Sequence, residues 1–313
     1  MTQAATPTAD TVRRLVRSLL PDGGRPRITP ATTPVAEGGE HLTWFVGAHH
    51  VLRLAPDREA SRRQWRELRL RDLVRPHIGV AVPVSIAHGE WASGLTYTLD
   101  TLIAGGSVEP RDVSALGEAD LAGLLTGLRE VPGREAEALG VPRATPRPLE
   151  ALRVAAERAA DQLAAADEFD PARLHQLTAP AVVQLAPQPG TAFLVHHDLK
   201  GEHLVVSGDG RVRGVLDWTD AVVGDPTEDI AGLALAVGAP AAVRAATLAG
   251  YGARPCLRGL WLARCDTLTR LAGRLHHHDD SPLPLLRAQL RRAWEAILLE
   301  RVTEFRDGTD EPL

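Results

Sequence analysis

The sequence predicts an α+β fold of two lobes, a small β-rich lobe over residues 1–102 followed by a larger, mainly helical lobe over 103–313. Three observations predict it. At 313 residues the chain exceeds one domain of ordinary size. Short β-type runs broken by turn residues crowd the part before Gly105, whereas Ala/Leu/Arg stretches of helical period dominate after it. Strands gathered first and helices second indicate segregated layers, not alternating β-α units.

The elements follow in order. ADTVRRLVRSLL sets Val12, Leu15, Val16 and Leu19 at helical spacing, with Asp10 as the cap. Past a Gly/Pro-rich break, RITP, LTWFVG and HVLRLA read as strands, the last two joined into a hairpin by a tight Ala48-His49 turn. Residues 57–75 read as a charged helix with Trp65, Leu68 and Leu73 on one face, and VAVPVSIA and LTYTLDTL return to β character. In the second lobe, helices are expected over 112–131, 148–168 and 170–178. AFLV then forms a strand feeding the polar loop HHDLKGEH, LVV and RVRGVL flank a Gly208-Asp209-Gly210 turn, and helices fill most of 226–306.

Composition narrows the function. Hydrophobic residues at 44% and charged residues at 24% describe a globular protein. The net charge of −5 offers no basic field for a nucleic-acid backbone or an anionic membrane, so neither partner is expected and a cationic one fits better. Two cysteines, Cys256 and Cys265, make no disulfide framework, and the first residues lack a signal-peptide pattern. The uncharged runs 176–195 and 230–243 are broken by Pro180, Pro187, Pro189 and Pro240, so no membrane span is expected and the location expected is cytoplasmic. Of 35 basic residues all but Lys200 are arginine, and the chain has no asparagine. A coding bias toward Arg and Ala accounts for both counts. It does not account for the lysine lying two residues after Asp198.

HHDLKGEH, residues 196–203, surrounds Asp198 with His196, His197 and His203. A zinc cage would need these histidines to converge, but the H-E-x-x-H spacing of a helical site is missing and Gly201 leads straight into a strand. A plain solvated turn leaves the continuation unexplained. That continuation, HLVVSGDGRVRGVLDW, is a hairpin that carries Asp217 fourteen residues past His203. Loop and hairpin can bring two aspartates and a third polar side chain to one edge. Phosphoryl transfer uses such a set: one carboxylate to take the proton of an attacking hydroxyl, and ligands for the divalent ions on the nucleotide phosphates. Asp198 suits the first role and Asp217 the second.

HHDLKGEH resembles the H-R-D-L-x-x-x-N catalytic loop of protein kinases, and VLDW resembles their metal-binding D-F-G segment. The run DWTDAVVGDPTEDIAGL lacks an activation loop and is instead similar to the aminoglycoside phosphotransferase family of small-molecule kinases, in which this segment leads directly into Asp-Pro-x-x-Asp and a helix. Asp225, Pro226 and Asp229 match that pattern, the two aspartates as supports of the loop. The resemblance implies a protein-kinase-like fold, ATP or GTP as phosphoryl donor, Mg2+ as cofactor, and a small-molecule hydroxyl acceptor such as an aminoglycoside antibiotic. It implies Asp198 as catalytic base and His203 and Asp217 as metal ligands. Lys200 would contact the transferred phosphoryl group, as in kinases with an HRDLK loop. EGGEHLTWFVGAHHVLRLA is similar to the family's first hairpin, with Gly38 and Gly39 over the phosphates and Arg53 where kinases carry a strand lysine paired with a helix glutamate, here Glu67. Guanidinium binds phosphate in a bidentate manner, so the exchange is chemically sound. Residues 98–105, TLDTLIAG, resemble the linker between lobes and place Asp100 and Leu102 beside the nucleotide base.

Two departures stand out. His203 replaces asparagine, although histidine also occurs here in the branch that phosphorylates the 2''-hydroxyl of aminoglycosides, and Arg53 replaces lysine. A metabolite kinase of the same fold and a nucleotide-binding pseudokinase therefore stay open as alternatives. Asp279, Asp280, Glu300, Glu304 and Asp307 could form an acidic wall for a polycationic acceptor, and solvated helix faces explain them equally well.

Overall fold

The computed structural model describes residues 7–20, 27–30, 42–108, 112–187, 190 and 192–297. Its first lobe opens with helix α1 (Ala9–Leu19), followed by strands β1 (Ile28–Pro30), β2 (Leu42–Val46) and β3 (His50–Leu54), helix α2 (Arg58–Val74), and strands β4 (Ser85–Ala92) and β5 (Leu95–Thr101). The sequence order of strands and helix is thus the observed one. The strands form an antiparallel sheet in the order β1-β2-β3-β5-β4, with Trp44 opposite Leu52 and Leu52 opposite Leu99. Val12 and Val16 of α1 pack with Val46, Leu52, Leu54, Tyr97 and Leu99 into one apolar cluster. The cap of α1 is Thr8, not Asp10: its side chain accepts the Thr11 N–H at 3.1 Å.

Helix α2 differs from its sequence reading. Asp57 caps it through the N–H groups of Glu59 and Ala60. Its buried face carries Gln64, Glu67, Leu68, Leu70, Arg71 and Val74, while Trp65 lies outward at 38% exposure. Of the three residues expected to share a face, Leu68 is buried and Leu73 packs partly against the core, whereas Trp65 turns outward because Gln64, Glu67 and Arg71 occupy the inside. Leu70 and Val74, with Ile78, Val80 and Val82, join the large cluster of the second lobe. Backbone bonds from Ala81 N–H to Arg213 O (3.0 Å) and from Val215 N–H to Ala81 O (2.9 Å) fasten the same segment. That use of residues 80–83, together with Pro83's missing N–H, delays β4 to Ser85. Helix α2 thus lies against β5 of the first lobe while its apolar residues enter the core of the second.

The second lobe runs β6 (Gly106–Ser107), α3 (Ala115–Glu130), α4 (Gly133–Ala138), α5 (Leu149–Ala165), a 3-10 turn (Pro171–Gln176), α6 (Ala179–Gln184), β7 (Phe193–Val195), β8 (Leu204–Val206), β9 (Val212–Val215), β10 (Val222–Gly224), α7 (Thr227–Val237), α8 (Ala239–Leu248), α9 (Ala253–Leu275) and α10 (Leu283–Ala293). The single helix expected over 170–178 is a 3-10 turn, and helix α6 starts only at Ala179. Pro180 sits in the first turn of α6, where its absent N–H costs little. Helix α9 packs against α5, α7 and α10. At its crossing with α7, a Cβ on Gly259 would come within 2.7 Å of Ile230 Cβ and 2.9 Å of Thr227 O, so only glycine permits this approach. Among the described residues no helix is long and apolar enough to cross a membrane.

Candidate active site

Strand pairing brings two loops to the same end of the second lobe. β7 pairs with β10 and β8 with β9, all antiparallel, so the 196–203 loop between β7 and β8 lies beside the 216–221 loop between β9 and β10. A bond from Leu216 N–H to His203 O at 2.9 Å ties them. Both loops contain a residue in left-handed backbone, His197 (φ 69) and Asp217 (φ 57). Such conformations cost about 1–3 kcal/mol each and persist only where surrounding bonds enforce them.

Helix α7 supplies that enforcement at His197. One carboxylate oxygen of Asp229 accepts the His196 N–H (2.9 Å) and the other the His197 N–H (2.8 Å). Burial pushes the Asp229 carboxyl up to about 7, against the lowering effect of these two bonds. Asp225 caps α7 through the Thr227 N–H and meets the buried Arg258 at 2.7 Å. Gly232 of the same helix lies where a Cβ would be 3.2 Å from Leu199, so α7 comes close beneath the loop.

The three histidines have separate tasks and form no metal cage. His196 is fully buried, accepts the Asp198 N–H at Nδ1 (3.3 Å), and so donates from Nε2 to Leu216 O (3.0 Å). Both ring nitrogens are used, and the ring packs edge-on against Trp218 at 4.7 Å. Burial, reinforced by His203, pulls its pKa down to about 4. The neutral folded form therefore favours folding above the ordinary histidine pKa, and this contribution is lost as pH falls from about 6.5 toward 4. Asp229 acts in the opposite sense, since its raised pKa removes stability as pH rises toward 7. Denaturant titrations of the parent and His196→Gln should show a stability difference that shrinks on acidification across that window; a pH-independent difference would contradict the assignment.

Around Asp198 the contacts converge. Lys200 Nζ lies 2.8 Å from Asp198 Oδ1 and 3.1 Å from Oδ2, so the lone lysine holds the carboxylate that the sequence marks as base. His203 Nδ1 donates to Asp198 O at 2.8 Å and lies 3.3 Å from Asp198 Oδ2. Its Nε2 faces Asp217 Oδ2 at 3.8 Å and Glu202 Oε1 at 3.9 Å. One imidazole thus touches both aspartates. Burial alone would raise the Asp217 carboxyl, but Arg53, His203 and bonds from Thr219 outweigh it and hold it well below the ordinary carboxylate range. Asp217 stays ionised, with 39% of its side chain exposed.

From the first lobe a chain of alternating charge reaches this point. Arg53 donates to Glu67 at 2.8 Å, Glu67 lies 3.9 Å from Arg71, and Arg71 pairs with Asp100 at 3.1 Å. Burial disfavours the charge on Glu67, yet Arg53 and Arg71 keep its pKa lowered. Thr219 Oγ1 donates to Glu67 at 3.5 Å and Thr219 N–H to Asp217 Oδ1 at 3.3 Å, linking helix α2 to the metal-ligand candidate.

Asp100 and Leu102, expected beside a nucleotide base, make contacts within the first lobe, and Leu102 keeps 38% exposure. The Asp100 carboxylate is buried against Arg71, and the Leu102 N–H donates to His49 O at 2.7 Å, so both groups are used inside the first lobe. Gly38 and Gly39 lie outside the described residues, as do Glu300, Glu304 and Asp307. Asp279 binds Arg270 and caps Ser281 N–H, a local structural task. Sequence reasoning missed Arg71, Thr219, Glu202 and Arg258. Arg71 and Arg258 carry no local signal in a chain with 35 basic residues. Glu202 is inside the recognised loop and its position next to His203 could have marked it.

A loop and a hairpin presenting two aspartates, tied through Thr219 to a helix glutamate bound to a strand cation, make up the candidate site of a kinase-like fold. Residues 31–260 match the phosphotransferase enzyme family, APH, and the chain belongs to that family. Among solved structures, the fold resembles the GDP complex of wild-type aminoglycoside 2'-phosphotransferase-IIIa (TM-score 0.64, 18% identity, 90% of this chain and 96% of that one). It also resembles a macrolide 2'-phosphotransferase from Brachybacterium faecium (TM-score 0.58, 21% identity, 90% and 99%). In sequence, 64 residues are 38% identical to viomycin phosphotransferase of Streptomyces vinaceus, covering 20% of this chain and 22% of that protein. A further 41-residue match at 49% identity is to the uncharacterized protein YcbJ of Bacillus subtilis, covering 13% of each.

Proposed function

We propose that this protein is a small-molecule kinase that moves the γ-phosphoryl group of ATP or GTP to a hydroxyl of a small acceptor, with aminoglycoside-type antibiotics as the leading acceptor class. The observation that carries the reading is the imidazole of His203, 3.3 Å from Asp198 and 3.8 Å from Asp217, which brings the base candidate and the ionised second aspartate into one constellation. Family membership supports it, as does the likeness in fold to a GDP complex of an aminoglycoside phosphotransferase, to a streptomycin-ATP ternary complex of another and to a macrolide phosphotransferase.

Asp198 is poised to accept the hydroxyl proton while Lys200 and His203 fix its orientation, which is what a positioned base requires. Arg53, anchored by Glu67, offers a bidentate cation for the nucleotide phosphates. Magnesium passes a test of fit. With Nδ1 of His203 donating to Asp198 O, Nε2 is left facing Asp217 Oδ2 and Glu202 Oε1, and a cation could draw these three groups together. Imidazole is a softer ligand than Mg2+ prefers, so Asp217 is the stronger contributor of the two. Among the described residues no group of three or more His, Cys, Asp or Glu side chains is placed to hold a metal ion, so phosphate oxygens and water would have to supply the remaining ligands. His203 and Asp217 would hold it. Bound there, it would offset charge on the phosphates.

Asp217→Ala should lose magnesium-dependent nucleotide affinity while keeping the weaker metal-free binding, and calorimetry with and without magnesium reads this directly. His203→Ala should lose part of the same dependence; a variant indistinguishable from the parent removes it from the ligand set. A panel of hydroxyl-bearing antibiotics and metabolites assayed for coupled ADP or GDP release tests the activity itself. Nucleotide binding with no turnover on any acceptor would favour the pseudokinase reading.

A further inference from the structure

Away from this site, the outward face of α2 and the end of α4 border an open pocket of about 420 Å³ lined by Arg62, Arg63, Arg66 and Arg69 and by one carboxylate, Glu59, with Trp65 and Leu139 as its apolar walls. That volume is in the range of small-molecule sites, about 300–1,000 Å³. Its charge is opposite to that of the molecule. The chain is net −5, and many of its other arginines meet carboxylates, as Arg53, Arg71, Arg147, Arg211, Arg244 and Arg258 do. Among the described residues the pocket's one carboxylate, Glu59, pairs with Arg63 at 3.3 Å, and Arg62, Arg66 and Arg69 have no carboxylate partner. Arg66 is bound to a carbonyl, Thr219 O at 2.6 Å, and Arg69 makes long bonds to Trp65 O (3.4 Å) and Leu139 O (3.5 Å). Arg62 is exposed and has no ion pair among the described residues. Three neighbouring guanidinium groups without a counter-charge repel one another, and a multiply charged oxyanion relieves that repulsion through bidentate bonds.

We propose that this cavity is a binding site for a polyphosphate-type anion, separate from the catalytic constellation. The ligand is more than a single phosphate because three unneutralised cations and a volume of this size exceed what one tetrahedral anion fills. Arg66 connects the site to the chemistry. It holds Thr219 O, and Thr219 in turn bonds Asp217 and Glu67. An anion that draws Arg66 outward would loosen that grip and thereby change how the metal-ligand candidate is held.

Binding can be measured without activity. Inorganic tripolyphosphate titrated by calorimetry into the full chain, in metal-free buffer at fixed ionic strength, should bind the parent at least tenfold more tightly than Arg62→Gln/Arg69→Gln. Both changes lie on the surface, and an unchanged thermal midpoint confirms the fold. Arg53→Met, which impairs the nucleotide cleft, should retain this binding, so a failure of the kinase reading is distinguishable from a failure here. In that background, ADP binding sensitive to Arg62 and Arg69 would assign a nucleotide's phosphate end as the source; tripolyphosphate binding alone would assign the free anion. Equal affinity of parent and double variant, or equal displacement by sulfate at matched ionic strength, overturns the proposal.

Discussion

Asp198→Asn is expected to keep nucleotide affinity and lose on the order of 10²–10⁴ in kcat, the usual contribution of a positioned general base. The substitution is nearly isosteric. Its carbonyl oxygen can still accept from Lys200, and the backbone bonds of residue 198 to His196 and His203 are untouched, so the loop should stay in place. What disappears is the capacity to take a proton from an acceptor hydroxyl. Steady-state ADP or GDP release with a confirmed acceptor, next to calorimetric nucleotide binding, separates the two effects. A variant with full kcat ends the assignment of Asp198 as base, and one that loses nucleotide binding equally points to a collapsed loop.

Arg258→Met is expected to destabilise the fold by about 3–5 kcal/mol, the cost of leaving a buried charge without its partner. Arg258 is almost wholly buried and donates to Asp225 (2.7 Å), Leu185 O (3.3 Å) and Arg147 O (2.8 Å), joining α9 to the end of α6, the approach to α5 and the cap of α7. Methionine fills much of the volume yet strands the Asp225 carboxylate and two carbonyls. Because α7 also supplies Asp229, which holds the catalytic loop, the loss should appear in activity at temperatures below global unfolding. Pairing it with Asp225→Asn should recover part of the stability, since the stranded charge is then gone. Urea unfolding of both variants decides it: a single-variant cost under about 1 kcal/mol would show that the pair is dispensable.

Much of the site was legible because its parts are local. HHDLKGEH, VLDW and Asp-Pro-x-x-Asp are contiguous, and their chemistry follows from short spacings and a hairpin turn. Arg53 and Glu67 could be paired in advance because a strand and the next helix are neighbours in sequence. The ion pair of Asp100 could not be read from the linker resemblance, since its partner, Arg71, lies 29 residues away on a helix whose inner face is charged. Trp65 misled for the same reason: apolar spacing assigns the inside of a helix only where apolar residues fill it.

By itself the sequence determined the order of strands and helices in the first lobe, the segregation of sheet and helices, the catalytic-loop motif and the family to which it points. These rest on periodicity, turn chemistry and spacing, which act over a few residues. Only the tertiary structure decided that one imidazole spans Asp198 and Asp217, that Asp229 pins the loop from beneath, that Arg258 fastens α9 to the cap of α7, and that α2 turns its uncompensated arginines outward. Each of these depends on burial and on charge pairing between segments distant in sequence. Such energies arise only once the chain has closed around them.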